Sequence, residues 1–242
     1  MSMRAITLTL ILLGNAAAPT RGQEADRDEP ERVARAAFRL GLRYVVLTSV
    51  NRDDLADGGA AHFAATIEAV RQALPEAGIE VLTPDFRGDR PALATVLAAE
   101  PTVFNHNIET VRRLHRRMRG AKASYDGALS LLRRAKERAD YDVLTKSGII
   151  VGLGETNEEV VETMRDLREN GVDVVTIGQY LQPSQKHATI DRWVHPDEFR
   201  WFREQGEALG FGSVFAGPLV RSSYRADEQR HAAVTGRGAV AY

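Results

Sequence analysis

Polar side chains follow several apolar runs of this chain within a few residues. These groups are Thr48-Ser49 with the segment up to Gly59, Asn105-His106-Asn107, Lys146-Ser147, and Gln179. Hydroxyls, amides and carboxylates gathered in this way can hold a small polar ligand by hydrogen bonds. The simpler alternative is that these residues only make turns and helix caps. Lys146 favours a functional role, because a charged residue inside a buried run needs a partner or a ligand.

The chain contains no cysteine. It therefore has no disulfide, no thiolate metal ligand and no cysteine nucleophile. The usual thiolate-held iron–sulfur cluster is excluded for these residues. The 6 histidines are scattered, and none forms a pair at metal-ligand spacing with a carboxylate partner.

Composition and charge are those of an ordinary soluble globular protein. Hydrophobic residues make up 43% and charged residues 27% of the 242 residues. The formal net charge is -1, which argues against a nucleic-acid or membrane-surface protein that binds through bulk charge. A local basic run extends from Arg112 to Arg119. It is interpreted either as a solvated helix face or as a docking patch for an acidic protein partner.

Short apolar runs alternate with longer amphipathic runs along the whole chain. The predicted strands are Ile6–Leu13, Tyr44–Thr48, Ile79–Leu82, Val103–Asn105, Leu144–Val151, Val174–Ile177 and Ser213–Ala216. The predicted helices are Pro30–Leu40, Ala60–Leu74, Pro91–Ala99, Tyr125–Arg138, Glu158–Asn170 and Pro196–Leu209. Strands that are apolar on both faces and separated by helices are typical of a parallel sheet. With right-handed crossovers, six such units predict a partial α/β barrel of the TIM type, a (β/α)6 arrangement.

The sequence patterns at the two ends of the chain predict structure less clearly. Residues 1–228 are predicted to form one barrel domain, and residues 229–242 a loose C-terminal tail. The run Ile6–Leu13 precedes three alanines and so imitates a short secretory signal, but a buried strand is preferred. We therefore expect a cytoplasmic protein, with secretion as the alternative if residues 1–18 act as a signal.

Six segments in this order resemble lipoyl synthase, a radical S-adenosylmethionine family. The segments are VVLTSVNRDDLADGGAAHFAATI, FNHNIETV, LTKSGIIVGLGET, VDVVTIGQYLQPSQKH, VHPDEF and AGPLVRSSY, within residues 29–227. The resemblance implies a partial parallel α/β barrel that binds S-adenosylmethionine and two four-iron clusters. It also implies sulfur insertion into an octanoyl chain on a lysine of a lipoyl-carrier domain.

Positions that match the family's motifs give the expected site residues. The resemblance implies a cofactor and substrate cavity lined by Thr48, Ser49, Asn105, Asn107, Lys146, Ser147 and Gln179. It implies that Arg221-Ser222-Ser223 is the motif whose serine contacts the second cluster, and the choice between Ser222 and Ser223 stays open.

The chain departs from the family where the clusters should be held. The family places cysteines at a C-x3-C-x2-C spacing after the first strand, whereas this chain has Asn15–Glu24 without a cysteine. The cysteine-bearing N-terminal extension is also expected to be missing. A lone serine cannot replace these ligands, so we do not expect this chain to hold either cluster.

Three interpretations of function follow from this conflict. The chain is an active lipoyl synthase only if its cluster ligands come from elsewhere. The second interpretation is a non-catalytic homologue that binds S-adenosylmethionine, an octanoylated carrier domain or a synthase partner. The third is a cluster-free enzyme in which Asp53, Asp54, Asp57 and Lys146 perform acid–base chemistry. The oligomeric state is not predicted by the sequence.

Overall fold

Seven parallel strands form one sheet in which the strand order follows the chain. The computed structural model describes residues 8–12 and 25–235. The strands are β1 Leu8–Leu12, β2 Tyr44–Ser49, β3 Gly78–Leu82, β4 Val103–Asn105, β5 Leu144–Val151, β6 Val174–Gln179 and β7 Ser213–Gly217. The helices are α1 Glu29–Arg39, α2 Ala60–Ala73, α3 Arg90–Ala98, α4 Arg112–Arg119, α5 Tyr125–Arg138, α6 Asn157–Glu169, α7 Pro196–Ala208 and α8 Ala226–Thr235.

This architecture confirms the predicted partial TIM-like parallel barrel. The helices cover the sheet, and strand residues such as Val45, Leu47, Val81 and Phe104 are buried in one large core. Burial on both faces explains why these strands are apolar without alternation. The seventh strand, β7, extends the six predicted strand–helix units by one edge.

Helix α6 begins at Asn157, one residue before the predicted start at Glu158. The Thr156 hydroxyl accepts a hydrogen bond from the Glu159 amide at 3.3 Å. The Glu159 carboxylate accepts one from the Thr156 amide at 2.9 Å. This reciprocal pair satisfies two amides that a helix start leaves without partners.

Two helices were not among the predicted elements. The basic run forms α4, in agreement with its interpretation as a helix face. Residues 229–235, predicted as part of a loose tail, are instead helical in α8. Helix α8 contacts β2, β6 and β7, and its residues Ala226, Gln229 and Ala232 are buried. This helix was not predicted from the sequence because two alanines and a glutamine on the buried face give only a weak amphipathic signal.

Some predictions concern residues outside the described ranges. These are the ends of the predicted first strand, the remainder of the signal-like segment, the segment 15–24, and residues 236–242. The single-domain assignment stays a prediction. Within the described ranges, no helix combines the length and the apolar character needed to cross a bilayer.

Candidate functional site

A cavity of about 1070 Å³ lies at the carboxyl ends of β2, β3 and β4. The end of β2 contributes Thr48 and Ser49 to its wall, the loop after β2 contributes Asn51, and the segment after β3 contributes Thr83. The carboxyl ends of parallel strands are where ligand sites form in this class of fold. The volume is in the range of small-molecule and cofactor sites.

The loop after β4 forms one wall of the cavity and is fixed by β5. The Ser147 hydroxyl donates to the His106 carbonyl at 2.9 Å and accepts from the Ile108 amide at 3.0 Å. The Glu109 amide donates to the Gly148 carbonyl at 2.9 Å, and the Ile150 amide donates to the Glu109 carbonyl at 2.8 Å. Ser147 is absent from the described lining of the cavity, but it positions the loop that forms this wall.

A glycine in β5 leaves room for the side chain of Asn107. A Cβ atom added to Gly148 would lie 2.8 Å from the Asn107 Oδ1 atom and 3.0 Å from the Thr176 hydroxyl. Both distances are too short for ordinary packing. Asn107 can therefore occupy its place in the cavity wall only because β5 has no side chain there.

Two buried polar atoms of the wall have no hydrogen-bond partner within the described residues. They are the Thr83 hydroxyl and the Asn107 Oδ1 atom. Buried polar groups are nearly always hydrogen-bonded, and leaving one unpaired costs about 1–3 kcal/mol. Since both residues line the cavity, a polar ligand there would supply the missing partners.

Two titratable groups in the same wall are shifted toward their neutral forms. Burial lowers the pKa of His106, although the Thr83 carbonyl lies 2.9 Å from its Nδ1 atom. A neutral imidazole that donates from Nδ1 to this carbonyl keeps a free acceptor at Nε2. Burial also raises the pKa of Glu109, whose backbone has a φ of 70°. This left-handed conformation is unusual for a glutamate, and such strain is common at binding sites.

Lys146 lies beneath the cavity rather than in its described wall. Its ammonium donates to both oxygens of Glu80, at 2.8 and 3.1 Å, and both side chains are 1% exposed. Glu80 is two residues before Leu82, which lines the cavity, so the two side chains lie on the same face of β3. The pair thus occupies the layer of the barrel interior below the cavity floor.

Two further groups complete this buried network. The Asn105 amide donates to Glu80 Oε1 at 2.9 Å, and the Tyr44 hydroxyl donates to Glu80 Oε2 at 3.1 Å. Burial lowers the pKa of Lys146, and the Glu80 carboxylate opposes that decrease. Burial and the same carboxylate raise the pKa of Tyr44 well above its usual value, so its hydroxyl stays protonated. Lys146 therefore has the protein partner that its burial requires, and Asn105 is held by the same carboxylate.

Gln179, at the end of β6, has a separate set of partners. Its Oε1 atom accepts from the Val194 amide at 2.9 Å, and its Nε2 atom donates to the Arg192 carbonyl at 3.2 Å. These bonds attach the segment before α7 to the sheet. Gln179 is absent from the described lining of the cavity.

The segment Arg221-Ser222-Ser223 follows β7. Arg221 donates to the Val220 carbonyl at 2.6 Å, and Ser222 and Ser223 are half-buried. None of the three belongs to the described cavity lining. Of the residues expected at the site, the structure thus brings together Thr48, Ser49 and Asn107.

Several lining residues were not predicted from the sequence. They are Thr83, Glu109, His115, Arg119 and Lys122. His106 and Glu109 belong to the FNHNIETV segment, so their place in an ordered motif was the available signal. Arg119 and Lys122 come from α4 and the residues after it, and only the tertiary structure brings them to this wall.

The side chains of the described residues do not form a metal centre. Across residues 25–235, no three histidine, aspartate or glutamate side chains gather in a way that could hold a metal ion.

Comparison with known proteins gives a consistent family. The model of the Radical SAM superfamily matches residues 14–167. The chain is 53% identical to the lipoyl synthase of Rubrobacter xylanophilus over 245 aligned residues, which cover 96% of this chain and 76% of that protein. It is 56% identical to the lipoyl synthase of Thermus thermophilus over 202 residues, which cover 84% of this chain and 62% of that protein.

Solved structures with low sequence identity share the fold. The maturase HydG of the FeFe-hydrogenase from Carboxydothermus hydrogenoformans aligns with a TM-score of 0.62 at 15% identity, over 86% of this chain and 48% of that one. Methylornithine synthase aligns with a TM-score of 0.60 at 16% identity, over 89% of this chain and 61% of that one.

Proposed function

Because this chain belongs to the lipoyl synthase family within the radical SAM superfamily, we propose that it binds S-adenosylmethionine and the octanoylated lysine of a lipoyl-carrier domain but does not insert sulfur unaided. The observation that carries the proposal is the pair of unpartnered polar atoms, on Thr83 and Asn107, in a cavity of about 1070 Å³. The chain contains no cysteine, and therefore no thiolate, to accompany this wall.

The donors and acceptors of the wall suit a polar, cationic nucleoside such as S-adenosylmethionine. Its hydroxyl and ammonium groups can donate to the Thr83 and Asn107 oxygens, which lack donors within the described residues. The carboxyl of Glu109 and the free Nε2 of His106 add acceptors to the same wall. In this proposal these residues bind and orient the ligand and exclude water from it.

The iron–sulfur clusters do not fit the ligands available here. Such clusters need thiolates, with an occasional histidine or other ligand, and these 242 residues contain no cysteine. We therefore assign no chemical step to a cluster in this chain. The third interpretation, acid–base catalysis by Lys146 with nearby aspartates, has no support from the wall, because Lys146 is bound to Glu80 beneath it.

Calorimetric titration with S-adenosylmethionine tests the binding proposal. We expect wild-type protein to bind, and Thr83→Val to bind about tenfold more weakly because a ligand hydrogen bond is lost. Thr95→Val is the matched control, since the Thr95 hydroxyl is bonded to the Pro91 carbonyl on α3, outside the described cavity lining. Equal binding by wild type and Thr83→Val, or no binding at all, would contradict the proposal.

Anaerobic reconstitution with iron and sulfide tests the second half of the proposal. We expect no stoichiometric four-iron cluster and no cleavage of S-adenosylmethionine by the reconstituted chain, measured by iron counting and chromatography. A bound cluster with cleavage and thiolated product would instead establish an active synthase with unforeseen ligands.

A further inference from the structure

Helix α4 carries an excess of positive charge that its surroundings neutralise only in part. Its eight residues include five arginines and no acid. Arg112 pairs with Asp126 and Asp166, and Arg113 pairs with Glu159. Arg116 and Arg117 are exposed and make no ion pair with any described residue.

The basic face of α4 extends to the cavity through the last residue of the helix. Arg119, at the end of the helix, lines the cavity, and Arg116 lies one turn before it on the same helix face. Lys122 continues this line and pairs with Asp53 at 3.7 Å. Arg116, Arg117 and Arg119 together form the basic stripe of α4.

We propose that the basic stripe docks an acidic protein segment whose acylated lysine enters the cavity. The inference rests on the proposed function, because the cavity must accept that lysine. Charge complementarity indicates the partner: Arg119 lines the cavity, Arg116 and Arg117 in the preceding turn make no ion pair with a described residue, and the net charge of the whole chain is only -1.

The small size of the basic stripe favours a protein segment as its partner over a nucleic acid or a membrane. A helix of eight residues is about 12 Å long, so the stripe offers a small contact. Nucleic acids and anionic membranes are bound by broader basic surfaces, where many charges act together. A few acidic side chains beside a modified lysine match the stripe in size and in sign.

Electrostatic docking of this kind gives a specific experimental signature. Charges at the rim of an interface act mainly on association and partner choice, and their effect is screened by salt. The contribution of the stripe should therefore be large at low ionic strength and small at high ionic strength, while binding inside the cavity should depend less on salt.

The test compares Arg116→Glu/Arg117→Glu with a control of identical charge change. The control is Arg39→Glu/Arg43→Glu, because both arginines are exposed and lie at the amino-terminal end of β2, opposite the cavity. The probes are synthetic peptides with glutamates beside an octanoyl-lysine, the same peptide without the acyl group, and an acylated peptide with glutamines. Binding is measured by fluorescence anisotropy at low and high salt.

We expect the stripe variant to bind both glutamate peptides at least about tenfold more weakly at low salt, with the control unchanged and the glutamine peptide unaffected. Equal affinities of wild type and stripe variant for the glutamate peptides would overturn the docking proposal. The proposal would also be overturned if single-stranded RNA or phosphatidylglycerol vesicles needed the stripe for binding while the peptides bound equally well without it. If the acyl group adds nothing while the stripe still matters, docking stands and the proposed function fails.

Discussion

At the scale of single residues, the ion pair of Lys146 and Glu80 decides what the barrel interior can do. Both side chains are almost fully buried, and Tyr44 and Asn105 donate to the same carboxylate. Because Lys146 lies in a predicted buried strand, the sequence favours a functional role for it, whereas the structure pairs its ammonium with the Glu80 carboxylate. Such a pair contributes little net stability compared with apolar residues, but it becomes costly when one partner is removed.

Lys146→Met is expected to lower the free energy of unfolding by about 3–5 kcal/mol, because it leaves the Glu80 carboxylate buried without its cation. Urea denaturation followed by circular dichroism measures this change. Arg133→Met is the control, since Arg133 forms an exposed pair with Glu137 at 3.9 Å and should cost less than about 1 kcal/mol. The double variant Lys146→Met/Glu80→Leu should recover part of the loss; a double variant as unstable as the sum of both changes would refute the pairing.

At the scale of elements, one carboxylate joins α6, α7 and the segment between β6 and α7. Glu198 accepts from Arg192 at 2.8 Å, from Asn157 at 3.0 Å and from the His195 amide at 3.0 Å. The Arg192 guanidinium, together with Asn157 and the His195 amide, lowers the pKa of Glu198 to about 2. The same segment is attached to β6 by Gln179, so the start of α7 has two independent anchors.

Glu198→Gln is expected to destabilise the fold by about 1–2 kcal/mol at neutral pH, a value reduced for the partial solvent exposure of the pair. The folded pKa is lowered, so this stability is present above the ordinary glutamate value and is lost as the pH falls from about 4.5 toward 2. The difference between wild type and variant should therefore shrink over that range in thermal unfolding. Glu204→Gln, at an exposed position on the same helix, is the control and should change stability by less than about 0.5 kcal/mol at neutral pH. A Glu198→Gln difference that is independent of pH would contradict the assignment.

At the scale of the whole molecule, α8 connects the early and late parts of the barrel. It contacts β2 on one side and β6 and β7 on the other. Ala226, at its first position, is 1% exposed and packs against Tyr44 and Val46. The same Tyr44 donates to Glu80, so α8 also covers the buried network beneath the cavity.

Ala226→Glu is expected to destabilise the protein by about 3 kcal/mol or more, because a larger, charged side chain would enter a packed contact without a partner. The melting temperature should fall by several degrees in calorimetry. Val234→Glu, at a position that is 65% exposed on the same helix, is the control and should change it little. Equal melting temperatures for both variants would show that α8 does not pack on the barrel.

Much of the architecture follows from local patterns in the chain. The alternation of short apolar runs with amphipathic runs predicted the parallel strands and six of the helices, because burial on both faces and helical periodicity are local properties. The capping box of Thr156 and Glu159 spans only four residues, so it is also a local property of the sequence. Helix α8 was missed because its burial depends on strands far away in the sequence.

The sequence by itself determined the parallel barrel, the family and the lack of any thiolate, since these depend on residue types and their order. Only the tertiary structure decided that Lys146 faces Glu80, 66 positions away, and that Arg119 reaches the same cavity as Thr83. Neighbouring strands bring distant residues into one layer, and no short segment of the sequence specifies the register of those strands. Which polar groups remain unpartnered, and hence where a ligand fits, is therefore a property of the assembled barrel.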